Sequence, residues 1–167
     1  EKKNPENGLW RAEVDYDGIN ALFKALMVYS AFDVYFTYAD KAAESVFSLL
    51  ASDEIPGHVC GVYNAWYNVA GLINNIKTCH PSAERVDIAN GILDRARELA
   101  PEALRHTITK TLLFRRDDSS FSYFADHTSE TSQGMPVCTG VLEGDINATI
   151  ICSGGLIEYM SSTLKVT

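Results

Sequence analysis

The stretch Val59–Ile76, VCGVYNAWYNVAGLINNI, runs for eighteen positions without a charged residue. It follows a Pro56-Gly57 break and is apolar on most sides, the pattern of a helix buried inside a helical protein. Upstream, Asp17 to Phe32 places Ile19, Leu22, Phe23, Leu26, Tyr29 and Phe32 at helical spacing, and Lys24 is the one charge between Gly18 and Phe32. Downstream, a helix expected from about Asp145 to Leu164 is again uncharged between Ile146 and Ile157.

The segments between carry charged stripes. Tyr38 to Ala51 holds Asp40, Lys41 and Glu44, and Glu84 to Glu98 holds Glu84, Arg85, Asp87, Asp94, Arg95, Arg97 and Glu98. Pro81-Ser82 opens a stretch from Ala83 to about Leu113, expected as two helices divided near Pro101. A Ser-, Thr-, Gly- and aromatic-rich connection then runs from Arg115 to Gly144. A helix apolar all round belongs inside and a charge-striped one outside, so the order is inner, outer, inner, outer, inner. The expectation is an all-α chain of antiparallel α/α hairpins with inner and outer layers, one domain over residues 1–167.

The inner helices begin alike: Asp17-Gly-Ile-Asn20-Ala21, Val62-Tyr-Asn64-Ala65 and Asp145-Ile-Asn147-Ala148. The Asn residues are 64 − 20 = 44 and 147 − 64 = 83 positions apart, the second gap lengthened by the long connection. An Asn-Ala pair in the first turn of three charge-poor helices points to an internal repeat.

Two inner helices are preceded by an aromatic turn, Asn7-Gly8-Leu9-Trp10 and Asp118-Ser119-Ser120-Phe121-Ser122-Tyr123, the second continuing to Glu143-Gly144-Asp145-Ile-Asn147-Ala148-Thr149. This pattern resembles the α/α-toroid superfamily of terpenoid cyclases and protein prenyltransferase β subunits, over residues 7–32 and 117–164. In that family a D-G-S-F turn leads through a loop to an acidic G-E-x-D at an inner-helix start. Here Ser119 stands in the place of the family's Gly, and no D-x-C, D-D-x-x-D or D-x-D-D motif occurs. The resemblance therefore implies part of an α/α toroid more than isoprenoid chemistry. Many glycoside hydrolases and polysaccharide lyases use the same toroid, with carboxylates and aromatics around a central cleft. A toroid of this kind has roughly five to seven hairpins against about two and a half here. The expected partners are thus a small-molecule or glycan ligand, and either another copy or the remainder of a longer chain. The polar opening without Met, Glu1-Lys-Lys-Asn-Pro, leads to the same expectation.

Composition narrows the function. Fourteen basic against twenty-two acidic side chains give a net charge of −8. With Arg115-Arg116 the longest basic run, the chain lacks the clustered cations that nucleic acid or an anionic membrane requires, and neither is expected as a partner. Cys60 and Cys79 bracket one helix and so stand about 28 Å apart, too far for a disulfide. A Cys60–Cys138 pairing stays open, while unpaired thiols point towards a reducing, cytoplasmic setting. His58, His80, His106 and His127 show no metal spacing. Neither a G-x-S-x-G elbow nor a Gly-rich phosphate loop is present, and no cofactor is expected.

In a toroid the inner-helix starts converge on one rim. Glu143 and Asp145 are the acid/base candidates, with Asp17 a supporting carboxylate, since glycosidic cleavage needs two carboxyl groups. The alternative is that Asp17 and Asp145 are helix N-caps. Trp10, Phe121 and Tyr123 are candidates for stacking on sugar rings, with Tyr16 beside them, and His127 for a loop base. Asn20, Asn64 and Asn147 are candidates for sugar hydroxyls, the alternative being hydrogen bonds between hairpins. The function expected is a carbohydrate-active toroid protein; a terpenoid-cyclase or prenyltransferase-like protein and a non-catalytic helical scaffold are the other readings.

Overall fold

The computed structural model describes residues 2–132 and 134–165. It is mostly helical, as expected, with α1 Tyr16–Ala31, α2 Ala39–Ala51, α3 Cys60–Thr78 and α4 Ala83–Leu112. The last helix is a rod in three parts: α5 Ile146–Ile150, a π-helical turn Ile151–Gly155, and α6 Leu156–Leu164. Inside the long connection, β1 Thr131–Ser132 pairs antiparallel with β2 Met135–Pro136, a small hairpin that no alternation in the sequence announced.

Helix α3, uncharged up to Lys77 in its last turn, is the hub, packed against α1, α2, α4 and α6. Its buried amides face α1: Asn64 Nδ2 donates to Asn20 Oδ1 (3.1 Å), and Asn68 Nδ2 to the Ile19 carbonyl (2.8 Å). One end further on, Asn75 Nδ2 donates to the Val34 carbonyl (3.0 Å), just beyond α1. Contacts that advance together along both chains mean that α1 and α3 run parallel. On the other flank Tyr63 and Tyr67 of α3 both meet Tyr159 of α6, at 5.4 and 5.0 Å between ring centroids. Behind α3, Trp66 Nε1 donates to Thr107 Oγ1 of α4 (2.9 Å), and Arg85 near the start of α4 reaches the Cys79 carbonyl just past α3 (3.1 Å), so these two are antiparallel. Lys110, 3% exposed, donates from Nζ to the Leu49 carbonyl in the last turn of α2 (3.0 Å), a helix-end acceptor that also takes the Ser52 hydroxyl (2.9 Å).

Three expectations need correction. First, α4 is one helix across Pro101. Ala89, Ala96, Ala103 and Lys110 are buried at seven-residue intervals on both sides of the proline, so one buried stripe continues through it. Pro101 itself is exposed, leaving the Arg97 carbonyl that loses its donor on the side where water can serve it. Secondly, a charge-poor helix is not always a buried one here. On α1, Met27 is 49% and Val28 55% exposed, and on the last rod Ile146 is 69% and Ile150 60% exposed. Both flank α3, and among the described residues neither carries a packed helix on its far side, whereas α2, with its charged stripe, buries eight of its residues. Thirdly, the cap of α1 is Asp15, whose Oδ1 accepts from the Gly18 N–H (2.7 Å); Asp17 lies exposed in the first turn.

The two aromatic turns are built alike. In the first, Asn7 Oδ1 accepts from the Leu9 N–H (2.9 Å) and Gly8 has φ +71°. In the second, Asp118 Oδ1 accepts from the Ser120 N–H (2.9 Å) and Ser119 has φ +69°. Each is an Asx turn followed by a left-handed residue. Gly8 also lies against the start of α2, where a Cβ would stand 2.5 Å from the Ala42 nitrogen. The second turn docks on the last rod: the Asp145 N–H donates to the Phe121 carbonyl (2.8 Å), and the Phe121 N–H to Thr149 Oγ1 (3.0 Å). Gly144 permits that approach, since a Cβ there would collide with the Ser120 hydroxyl.

Candidate functional site

The starts of α1, α3 and the last rod enclose a cleft of 490 Å³. All three asparagines of the Asn-Ala repeat line it, Asn20, Asn64 and Asn147, together with Tyr63, Tyr123, His58, Cys60 and Lys24. The hairpin contributes Thr131 and Ser132, with Ser129 just before it. The π-helical turn contributes Ile151. A widened turn at this place shifts the register of everything after it, and such turns recur at binding sites. Gly155 in the same turn lets Tyr63 approach, for a Cβ there would stand 2.7 Å from the ring, which accounts for one glycine of the Gly154-Gly155 pair.

Uncharged donors and acceptors dominate the lining. Asn20 and Asn64 hold each other through one amide bond, which leaves an Asn64 carbonyl and an Asn20 amino group without a partner in that bond. These asparagines tie α1 to α3 and also line the cleft. The Tyr123 ring stacks on His58 at 5.2 Å with planes 19° apart, and the Val59 N–H donates to the Tyr123 carbonyl (2.9 Å), fixing loop to helix start. Burial pulls the His58 pKa below its ordinary value against the pull of Asp17, with Lys24 acting in the same direction as burial, so the ring is neutral at neutral pH. Its Nδ1 is buried with no partner among the described residues. Burial pushes the Tyr123, Tyr63 and Cys60 pKa values up. Cys60 is therefore a thiol, and the cleft has no thiolate nucleophile to offer. Lys24 is the charged residue of the lining, and none of the described lining residues is a carboxylate.

The proposed carboxylates lie elsewhere. Asp145 is 5% exposed and both its oxygens are engaged, Oδ1 by the Ala148 N–H (2.7 Å) and Oδ2 by the Thr128 hydroxyl (2.5 Å). It is the N-cap of α5, as the alternative reading of it held. Glu143 Oε1 accepts from the backbone N–H and the hydroxyl of Thr139, both at 2.6 Å, and these bonds lower its pKa. Glu143 borders a separate hollow with Arg115, Asp118 and Leu142. Asp17 reaches the cleft only through its charge on His58.

Of the other candidates, Asn20, Asn147 and Tyr123 are brought together in the cleft and the rest are not. Trp10 packs edge-on against Phe36 at 6.0 Å, and the Lys3 ammonium sits over both rings, 5.6 and 3.4 Å from their centroids. Burial lowers the Lys3 pKa to about 8. Tyr16 is 9% exposed beside Lys110, with a buried hydroxyl that finds no partner among the described residues, and burial followed by the charge of Glu54 raises its pKa. Phe121 joins Tyr123 against a small second core of Val59, Phe114, Ala148 and Cys152. His127 is stacked on Phe124 at 4.5 Å and bonded to Asp126 (2.6 Å). All four cysteines are unpaired; Cys138 Sγ donates to the Ser129 carbonyl (2.6 Å), so the Cys60–Cys138 bridge is not formed. Burial pushes the Cys152 pKa up to about 12.

His58, Cys60 and the Ser/Thr hairpin were not selected from the sequence. Their signal was positional: His58 and Cys60 flank the start of the same charge-poor helix whose Asn64 belonged to the repeat. Among the described residues, no three His, Cys, Asp or Glu side chains group as metal ligands, and no helix is long and apolar enough to cross a membrane. No family model, no curated protein and no solved structure matches this chain. The toroid resemblance accordingly rests on the residues quoted for it.

Proposed function

We propose that the cleft binds a neutral, polyhydroxylated ligand of the carbohydrate class, and that the chain is a carbohydrate-binding part of an α/α toroid. The observation that carries this is the meeting of Asn20, Asn64 and Asn147 with Tyr63 and Tyr123 in one cleft. Amides present donor and acceptor side by side, which suits the paired hydroxyls of a sugar, and aromatic rings suit its C–H faces. One lysine and a neutral histidine favour an uncharged ligand over a diphosphate, which calls for several cations or a metal. Three features support the toroid: the parallel row of α1, α3 and α6, the antiparallel helices behind it, and the matching Asx turns at residues 7–8 and 118–119.

Catalysis has less support than binding. Glu143 and Asp145 serve the fold through Thr139, Thr128 and Ala148, and hydrolysis by that pair needs both to turn away from those bonds.

The test is titration of the chain with maltose, cellobiose, xylobiose and chitobiose, followed by amide chemical shifts, in the wild type and in Asn147→Ala. One disaccharide should shift the amides around Asn20, Asn64 and Ser132. Asn147→Ala should weaken it about tenfold, the worth of one or two hydrogen bonds. Equal binding by Asn147→Ala, or no saturable shift with any of the four, refutes the proposal. In the second case the helical-scaffold reading takes its place.

A further inference from the structure

Phe23, Tyr63, Tyr67 and Tyr159 interlock edge to face, with Phe23 and Tyr67 4.6 Å apart, and form a partition across the row of parallel helices. Phe23 and Tyr63 face the amide cleft. Tyr67 and Tyr159 face a second cavity of 390 Å³ towards the other ends of α3 and α6. The chemistry there is different. Its walls include Ala70, Ile73 and Leu93, and Lys77 and Lys165 are the charged residues among those lining it. None of the described lining residues is acidic, in a chain whose net charge is −8. In its wall Thr163 is 1% exposed, with a hydroxyl that has no partner among the described residues.

We propose that this cavity is a second binding site, for an amphiphilic anion: a small molecule with an unbranched apolar tail and a single carboxylate head. The tail lies along the wall from Tyr67 to Lys77, about 15 Å of helix, which suits a medium-length chain. The head lies between Lys77 and Lys165, with the Thr163 hydroxyl as a further donor. A cavity of this volume, mostly apolar with a few polar groups, is within the ordinary range for small-molecule sites. The two lysines also stand at or just past the C-terminal ends of α3 and α6, where a cation balances the helix dipole. A lysine with that duty alone would not discriminate between ligand heads, and the test turns on this difference.

The probes are decanoate, 1-decanol and decyltrimethylammonium, three heads on one tail, titrated calorimetrically into the 167-residue chain. Decanoate should bind most tightly and octanoate more weakly, by up to about fourfold per methylene removed. Lys77→Gln and Lys165→Gln should each weaken decanoate roughly two- to fivefold and leave decanol unchanged. Ala70→Phe, which fills the cavity, should abolish binding of all three, and an unchanged far-ultraviolet spectrum shows that the variant folds. If Ala70→Phe does not fold, the lysine variants, whose side chains lie at the rim, decide alone. The proposal is overturned if decanoate does not bind, if it binds no more tightly than decanol, or if both lysine variants bind it like the wild type. Undiminished binding by a folded Ala70→Phe variant overturns it as well.

Discussion

Replacing Asn75 by Ala should destabilise the protein by about 1–4 kcal/mol. Asn75 is fully buried, and its Oδ1 accepts from the Phe36 N–H (2.9 Å). Its Nδ2 donates to the Val34 carbonyl (3.0 Å) and makes a longer contact with the Ser30 hydroxyl (3.4 Å). The chain between α1 and α2 has no regular structure of its own, so this amide stands in for the missing backbone partners. Truncation strands the buried Phe36 N–H at about 1–3 kcal/mol. The Val34 carbonyl, on a residue 47% exposed, can turn to water and adds roughly 1 kcal/mol or less. In a domain of this length the sum lowers Tm by roughly 2–16 °C. Urea unfolding followed by circular dichroism measures it, with Asn74→Ala, one position away and exposed, as the control expected within about 0.5 kcal/mol of wild type. Asn75→Asp adds a check of sign. It keeps the acceptor for Phe36 but buries a carboxylate against the Val34 carbonyl, so its folded-state pKa is raised and its deficit should shrink as pH falls below about 5. A loss in Asn75→Ala no larger than in Asn74→Ala would refute the view that this amide holds the α1–α2 connection.

Two further outcomes are expected. Because burial lowers the His58 pKa in the folded chain, the unfolded chain takes up its proton first on acidification. Stability should thus fall as pH drops through the unfolded value of about 6.5 and keep falling until the folded value is reached. Urea midpoints at pH 7.5 and 5.5 should differ less in His58→Gln than in wild type, and an identical difference would remove His58 as the cause. In the two aromatic turns, Ser119→Gly should stabilise by up to about 1 kcal/mol, since the left-handed conformation is strained for serine and free for glycine. Gly8→Ser should cost roughly 2 kcal/mol or more, because strain is joined by collision with Ala42. Thermal melts of the pair, taken together, contradict the argument if both variants move the same way.

Periodicity located all five helical segments because burial on one side leaves a 3.6-residue trace that no other residues need supply. It failed where a second force overrode it. At Pro101 the local rule called for a break, but the stripe from Ala89 to Lys110 is held against α2 and α3 on both sides, and the lost hydrogen bond falls on the exposed face. At Met27, Val28, Ile146 and Ile150 the absence of charge suggested burial. Composition, however, records what a surface tolerates and not whether a neighbour is present.

The candidate site was legible in the same uneven way. A recurring Asn-Ala pair marked Asn20, Asn64 and Asn147; the first two are each the fifth residue of α1 and α3, the third is the second residue of α5, and all three lie near the helix starts that meet at the cleft. The acidic residues carried no such constraint. Asp145 recurs at a helix start because an N-cap needs an acceptor there, and once its oxygens hold Ala148 and Thr128 little of its chemistry is left over for a ligand. An acid at a helix start is therefore evidence about the helix first. An amide repeated near the starts of several helices, where it serves as no cap, is the better pointer to a candidate site.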